Sequence, residues 1–274
     1  MSNWRDLIGD QWCGWGERPS CVTVTLQGIT LEGSVRSDSH YGLVEWDGWT
    51  NAGDRRGGPV SNDTGDDRHM GRVDMVGRRI RLEGVIRSDS RRELAEMREK
   101  MGAILTRPRA DWMVVNEQLL GLKRQALVTL SRPVQLTDQP SRRRVVYTLE
   151  LSASDWRRVA VDQSKLTLSP GESGSVVNAG KVEADMVAEL KGPLGAGVQI
   201  VGPAGTWTYN NSVASGQTIG VDFATRLVRD YANGLQLRPA VRGSWHEAAP
   251  GSATYRVVGS GTGTVELRWR SSWA

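Results

Sequence analysis

The sequence predicts a mainly β fold with one helix, divided into two domains of which the second is a β-sandwich. Three observations carry that reading. Most apolar runs alternate with polar residues at a period of two, the mark of half-buried strands. A single stretch, within 91–105, carries apolar residues at helical spacing. Glycine is abundant, 32 of 274 residues, while hydrophobic residues reach only 38%, a balance that suits many short strands joined by tight turns.

In chain order, residues 1–21 hold Trp4, Trp12 and Trp15 beside Gly14 and Gly16 without periodicity. They read as an arm whose indoles need burial, for instance against a neighbouring subunit. Val22, Val24 and Leu26 alternate into a strand ended by Gly28, and another strand is expected near Gly42–Trp46. Thr50–Gly71 has no apolar pattern and reads as a loop of about twenty residues, a length compact domains keep for functional or disordered segments. Gly77–Leu105 then joins a strand directly to the helix. Ile80, Leu82 and Ile86 alternate with Arg79, Arg81, Glu83 and Arg87. Ser90 offers an N-cap, and Glu93 follows at the spacing of a capping box. Leu94, Met97, Met101 and Leu105 form the helical stripe, with Glu96 and Lys100 as the expected i,i+4 pair. Arg91 and Arg92 stand in the first turn, where the helix dipole disfavours cations, and so need solvent or a carboxylate. Pro108 stops the helix. With strands all around it, this helix must pack on a sheet.

Trp112–Val115 and Leu127–Leu130 follow as short strands, and Gln139-Pro140-Ser141 as a turn. Val145, Tyr147, Leu149, Leu151 and Ala153 then face one way and Arg144, Thr148, Glu150 and Ser152 the other, closing at Asp155-Trp156. The Pro/Gly/Ser cluster Ser169–Ser175 marks the boundary, giving domains 1–165 and 166–274. Beyond it the chain is all strand: Val182–Leu190, Trp207 and Tyr209, Ile219–Phe223, Tyr255 and Val257, Val265–Trp269. Turn signals at Gly192-Pro193, Gly202-Pro203, Asn210-Asn211, Asn233-Gly234 and Pro250-Gly251 separate them, the spacing of a β-sandwich.

Charge says little about partners. The net is +4 and is spread evenly: residues 161–274 carry 10 basic and 9 acidic groups, leaving 25 and 22 for 1–160. Such mixing argues against a dedicated nucleic-acid footprint. No apolar run approaches the roughly 18 residues needed to span a bilayer, so no membrane contact is expected. MSNWRDLIGDQW lacks the apolar core of a secretory signal. Cys13 and Cys21 read as two reduced thiols of a protein made in a cytoplasm.

No constellation points to an enzyme. His40, His69 and His246 lie in no nucleophile motif. Cys13, Cys21, His40 and His69 match no zinc spacing, and neither a metal nor a cofactor is expected. Asn62-Asp63-Thr64-Gly65-Asp66-Asp67 offers oxygen ligands but lacks the full calcium-loop pattern, and reads as a solvated acidic loop; a metal-dependent hydrolase on Asp63, Asp66 and Asp67 is the competing reading. Gly259, Gly261 and Gly263 precede a strand rather than a helix, which makes them a hairpin turn, not a dinucleotide loop. Arg78-Arg79 and Arg142-Arg143-Arg144 read as solvated strand ends or as a patch facing phosphate or a subunit. Trp207 and Trp245 are the candidate glycan-stacking residues on a sandwich face; the competing reading puts an indole on an alternating strand into the core.

The order of these pieces resembles the distal tail proteins of long-tailed, non-contractile phages, a group also called minor tail proteins. Gly84-Val85-Ile86 runs into a helix rich in Leu, Glu and Arg, and the later strand closes on Asp155-Trp156, where the family more often has Asp-Pro. Asn178-Ala179-Gly180 precedes a strand, Val221-Asp222-Phe223 precedes Arg226-Leu227-Val228, and Ser244-Trp245 precedes Pro250-Gly251, matching a Trp-x-x-x-x-Pro-Gly pattern. The chain then finishes on Leu267-Arg268-Trp269-Arg270-Ser271-Ser272-Trp273. The resemblance covers the chain from about residue 22 onward; the Trp/Gly lead-in and the Asp/Arg loop lie outside it. It implies a β-barrel-like N-terminal domain, related to the tail-tube fold, with one flanking helix, and a galectin-like C-terminal sandwich. It also implies a virion protein made in the host bacterial cytoplasm. Six copies would close a ring between the tail tube with its tape measure and the tip or receptor-binding proteins. DNA would pass without specific binding, a role a near-balanced charge suits. The alternative from another class is a carbohydrate-binding module that attaches to host glycans.

Overall fold

Period-two alternation dominates the two longest strands of the first half, and it positions everything around them. The computed structural model describes residues 21–33, 41–51, 54–56, 59–60, 69–70, 74–106, 109–139 and 143–274, with backbone alone at 54–56, 59–60, 69–70 and 74–76. Trp4, Trp12, Trp15, Cys13, His40, the Asn62–Asp67 run, Pro108 and Pro140–Arg142 lie outside the described residues. The chain divides into two compact units between Arg158 and Val159.

In the first unit β1 (Val22–Leu26) turns through Gln27-Gly28, both at positive φ, into β2 (Ile29–Glu32). The sequence reading ended the strand at Gly28 and missed this partner. β3 (Tyr41–Asp47) follows. The described residues of the stretch read as a loop include short paired strands: β4 (Asp54–Arg56) pairs with β7 (Asp74–Val76) just beyond it, and β5 (Pro59–Val60) with β6 (His69–Met70). Strands of two or three residues are too short to show alternation, which is why the sequence concealed them. β8 (Arg78–Arg87) leads to α1 (Arg91–Gly102), and β9 (Asp111–Glu117), β10 (Leu122–Leu130), β11 (Gln135–Gln139) and β12 (Arg144–Ala153) complete the unit.

Seven of these strands close on themselves in the order β12-β8-β3-β2-β1-β9-β10, because β10 returns to β12 from Val128↔Ala153 to Leu130↔Leu151. β11 pairs with the first half of β12, outside the ring. Closure satisfies strand edges that would otherwise be open. β8 and β12 run opposite each other for their full length, from Arg87↔Arg144 to Arg78↔Ala153, with alternate residues buried. Gly84 has a steric reason to be glycine. Tyr147, its cross-strand partner, is fully buried and its hydroxyl donates to the Gly42 carbonyl at 3.0 Å. A Cβ on Gly84 would fall 2.2 Å from that hydroxyl and 2.0 Å from the carbonyl oxygen.

The helix starts as the sequence expects. Ser90 Oγ accepts from the Glu93 N–H, while the Glu93 carboxylate takes the Ser88 hydroxyl, which accepts in turn from the Ser90 N–H. Glu96 pairs with Arg92 at 3.0 Å rather than with the expected Lys100, which gives that first-turn cation its carboxylate. Met97, Met101, Ile104 and Leu105 are buried with the barrel residues, and Arg98 reaches Asp138 of β11 at 3.1 Å.

β13 (Arg158–Ala160) leads into the second unit. There β14 (Ser164–Leu168), β15 (Ser173–Asn178), β16 (Ala184–Lys191), β17 (Val198–Gly202), β18 (Gly205–Tyr209), β19 (Thr218–Asp222), β20 (Leu227–Asp230), β21 (Val241–Gly243), β22 (Glu247–Ala248), β23 (Gly251–Val258), β24 (Thr264–Trp269) and β25 (Ser272–Trp273) follow in order. The first eleven of these form two antiparallel sheets, β14-β24-β16-β19-β20 with β22 beside β16, and β15-β23-β17-β18-β21, whereas β25 pairs with β13. Met186, Leu190 and Leu267 of the first sheet and Ile200, Trp207 and Val257 of the second share one buried cluster. Ser169–Ser175 spans the turn between β14 and β15 and the start of β15, within this unit. Asn178 ties the unit together. Its Nδ2 donates to the Val182 and Ala248 carbonyls, both at 2.8 Å, and its Oδ1 accepts from the Gly180 and Ser272 N–H groups. Every polar group of this buried amide is therefore satisfied.

Candidate functional site

Among the described residues, no group of three or more His, Cys, Asp or Glu side chains is placed to hold a metal. Cys21 is half-buried immediately before β1, and the side chain of His69 is not described. His246 is wholly buried; its Nε2 faces the Ile200 carbonyl at 3.2 Å, and burial pushes its pKa down. Gly259, Gly261 and Gly263 lie between β23 and β24, with no helix after them. No helix among the described residues is long and apolar enough to cross a membrane.

The two candidate glycan tryptophans sit in one aromatic cluster. Trp207 has no exposed surface, and Phe223 and Trp245 meet it edge-on at 5.7 and 6.3 Å between ring centroids. A ring without a free face cannot stack on a sugar, so Trp207 is corrected to a core residue. Trp245 packs against the same core and carries the Arg238 guanidinium over its ring at 4.6 Å.

Arg78 is corrected as well: it is not a solvated strand end. It shares the inward phase of Ile80, Leu82 and Ile86, and its guanidinium donates to the Gly48, Trp49 and Trp156 carbonyls. It thereby fastens the chain shortly before β4. Beside it Arg124 Nε donates to Glu117 Oε2 at 2.7 Å, and Trp49 Nε1 donates to Glu117 Oε1 at 3.3 Å. Arg158 lies over the Trp49 ring at 5.6 Å, and its Nε has no hydrogen-bond partner among the described residues. Each of these four charged residues is 6% exposed or less. Arg124 and Arg158 thus share the buried Glu117 carboxylate, while Asp155 acts on Arg78. Burial first, then the Arg124 and Arg78 charges, pull the Arg158 pKa down to about 10 against the pull of Glu117. Burial and Arg124 lower Arg78 in the same way, opposed by Asp155. This cluster organises the ends of β3, β8, β9 and β10. Arg143 stays outside it and donates to the Asp89 carbonyl at 3.2 Å.

The outer wall of β9 and β10 is the surface the sequence reading overlooked. Trp112 and Leu127 are directly opposite each other and exposed. Leu119 and Leu120, in the turn between these strands, are 75% and 64% exposed. The signal was present in the run Trp112-Met113-Val114-Val115, where both phases are apolar. A strand of that kind is covered on both faces. Its inner residues Met113 and Val115 are buried, whereas Trp112 meets solvent in the single chain.

No protein-family model matches the sequence, and the comparison with curated proteins gives no match. Solved structures do match. The chain is similar to the Dit protein of phage SPP1, whose crystal structure is described as a paradigm of the hub adsorption apparatus in phages infecting Gram-positive bacteria. The TM-score is 0.64 at 12% identity, over 91% of this chain and 98% of that one. Chains of the phage P2 baseplate in its activated conformation align less well. The form with Ca gives a TM-score of 0.46 and the form with Sr 0.45, each at 10% identity over 90% of this chain and 97% of the other. The first likeness shows a shared fold.

Proposed function

We propose that this chain is a structural protein of a phage tail end, of the distal-tail kind. In this reading six copies close a ring through the barrel unit. The ring joins the tail tube and its tape measure to the tip or receptor-binding proteins, and DNA passes through without specific binding. The second unit acts as a galectin-like sandwich directed at those partners. The protein is non-enzymatic and belongs to the virion, made in the cytoplasm of the host cell.

The observation that carries the reading is the fold shared with SPP1 Dit over both units in the same order, 91% of this chain against 98% of the other. The exposed apolar pairs Trp112/Leu127 and Leu119/Leu120 on this hairpin support it, since exposed apolar side chains grouped on one surface suit a face that a partner covers. A ring is one closed solution for such a surface: each copy offers one face to the next, and the rotation returns to the start. The test is the mass of the purified chain by light scattering, with negative-stain images of the same fraction. Sixfold rings with a central hole support the reading. A particle of another symmetry, or a monomer at every concentration, counts against it.

A further inference from the structure

The outer face of the six-stranded sheet carries an arrangement that ring formation does not use. β19 pairs with β16 so that Gly220 stands opposite Glu189, and β16 pairs with β24 so that Glu189 stands opposite Glu266. Just past β20, Tyr231 swings back across this row. A Cβ on Gly220 would fall 2.3 Å from Tyr231 Cε1 and 2.5 Å from both its Cζ and its hydroxyl oxygen. The phenol therefore lies directly over the bare glycine backbone. Glycine weakens a strand interior, and here its absent side chain seats the ring. Tyr231 is nevertheless 60% exposed.

Next to the ring is a set of charged groups that hold one another in place. Arg268 donates through Nη2 to Glu189 Oε2 at 2.9 Å and through Nε to Glu266 Oε1, and Lys191 Nζ bridges the two carboxylates at 3.3 and 3.2 Å. Both carboxylates are largely buried, at 13% and 12% side-chain exposure. Arg268 and Glu189 are joined by a single hydrogen bond, which leaves Arg268 Nη1 as a donor and Glu189 Oε1 as an acceptor with no hydrogen-bond partner among the described residues. Tyr231 is also near enough to Arg268 for a phenolate there to raise the Arg268 pKa, so ring and network are neighbours.

We infer that this face binds a pyranose saccharide. The C–H face of the sugar stacks on the Tyr231 ring. Neighbouring hydroxyls on its edge accept from Arg268 Nη1 and donate to Glu189 Oε1. A rigid aromatic surface with a few fixed polar groups is the chemistry such a ligand requires. The site lies wholly in the second unit and takes neither Trp207 nor Trp245.

The test uses the full chain and saturation-transfer NMR with the methyl glycosides of glucose, galactose, N-acetylglucosamine and rhamnose, followed by titration of whichever gives signal. At least one glycoside is expected to bind. Tyr231→Ala is expected to weaken it about tenfold, the worth of one stacked aromatic contact. Gly220→Ala leaves Tyr231 in place and lifts its ring from the sheet, and is expected to act in the same direction with an unchanged melting temperature. Silence from all four glycosides in the wild type overturns the assignment. So does binding that survives both substitutions.

Discussion

The two units solve the same problem, holding β-sheets together, with opposite chemistry. At one end of its barrel the first unit buries Arg78, Arg124 and Arg158 beside the carboxylate of Glu117. The second unit buries the neutral amide of Asn178, with all four of its hydrogen-bonding positions filled, and a cluster of edge-to-face aromatic rings. Their surfaces differ in the same sense. The first unit leaves Trp112, Leu119, Leu120 and Leu127 uncovered, whereas the sheet face of the second is laced by Glu189, Glu266, Lys191 and Arg268. One surface is apolar and the other is a lattice of charges. A buried, imperfectly balanced charge cluster contributes little net stability but makes the local geometry unforgiving. Neutral, fully satisfied polar burial fixes geometry without that penalty.

Removing the balancing charge gives the largest expected effect. Glu117→Leu leaves the buried Arg124 and Arg158 guanidiniums without their carboxylate and should cost about 4 kcal/mol, read by denaturant melts as selective loss of the first unit. Asn178→Ala should cost roughly 3 kcal/mol in the second unit alone, since it strips partners from two buried carbonyls and two N–H groups. Equal losses in both units from either substitution would break the contrast. Arg158→Met works in the other direction. It removes the buried cation whose Nε is unpaired among the described residues and should stabilise the first unit by about 1 kcal/mol, a gain of a few degrees in melting temperature.

A smaller effect concerns pH. Burial holds the His246 pKa below its usual 6.5, so the neutral ring is the folded form. The unfolded chain binds the proton more readily, so stability from this group is complete above pH 6.5 and is lost as the pH falls below that value. Melts at pH 7.5 and pH 5 should show the second unit weakening, with the drop reduced in His246→Gln. The smallest effect on stability belongs to Leu119→Ser with Leu120→Ser, where exposed positions should change it by no more than about 0.5 kcal/mol while preventing assembly.

Much of this was legible in the sequence. β8, β12, β16 and β24 follow their alternation, and Ser90 caps the helix as its spacing implies. The phase of alternation also held information that a reading of charge alone discards. Arg78 is in step with Ile80 and Leu82, Glu117 with Met113 and Val115, and Arg124 with Ala126 and Val128, so all three charges stand on core-facing positions. What could not be read was non-local or short. The return of β10 to β12 joins residues far apart in the chain. β2, β11 and the strands β4 to β7 are too brief or too polar for a pattern. The seating of Tyr231 on Gly220 depends on a register that no local motif announces.

The most direct test of the account is hydrogen–deuterium exchange on the purified chain across a range of concentrations that brackets assembly. The account predicts that amides in the Gln118–Leu120 turn, in β9 and in the short strands β4 to β7 slow as concentration rises, while those of the second unit do not change. Slowing confined to the second unit, with β9 and its turn exchanging as in the single chain, would contradict it.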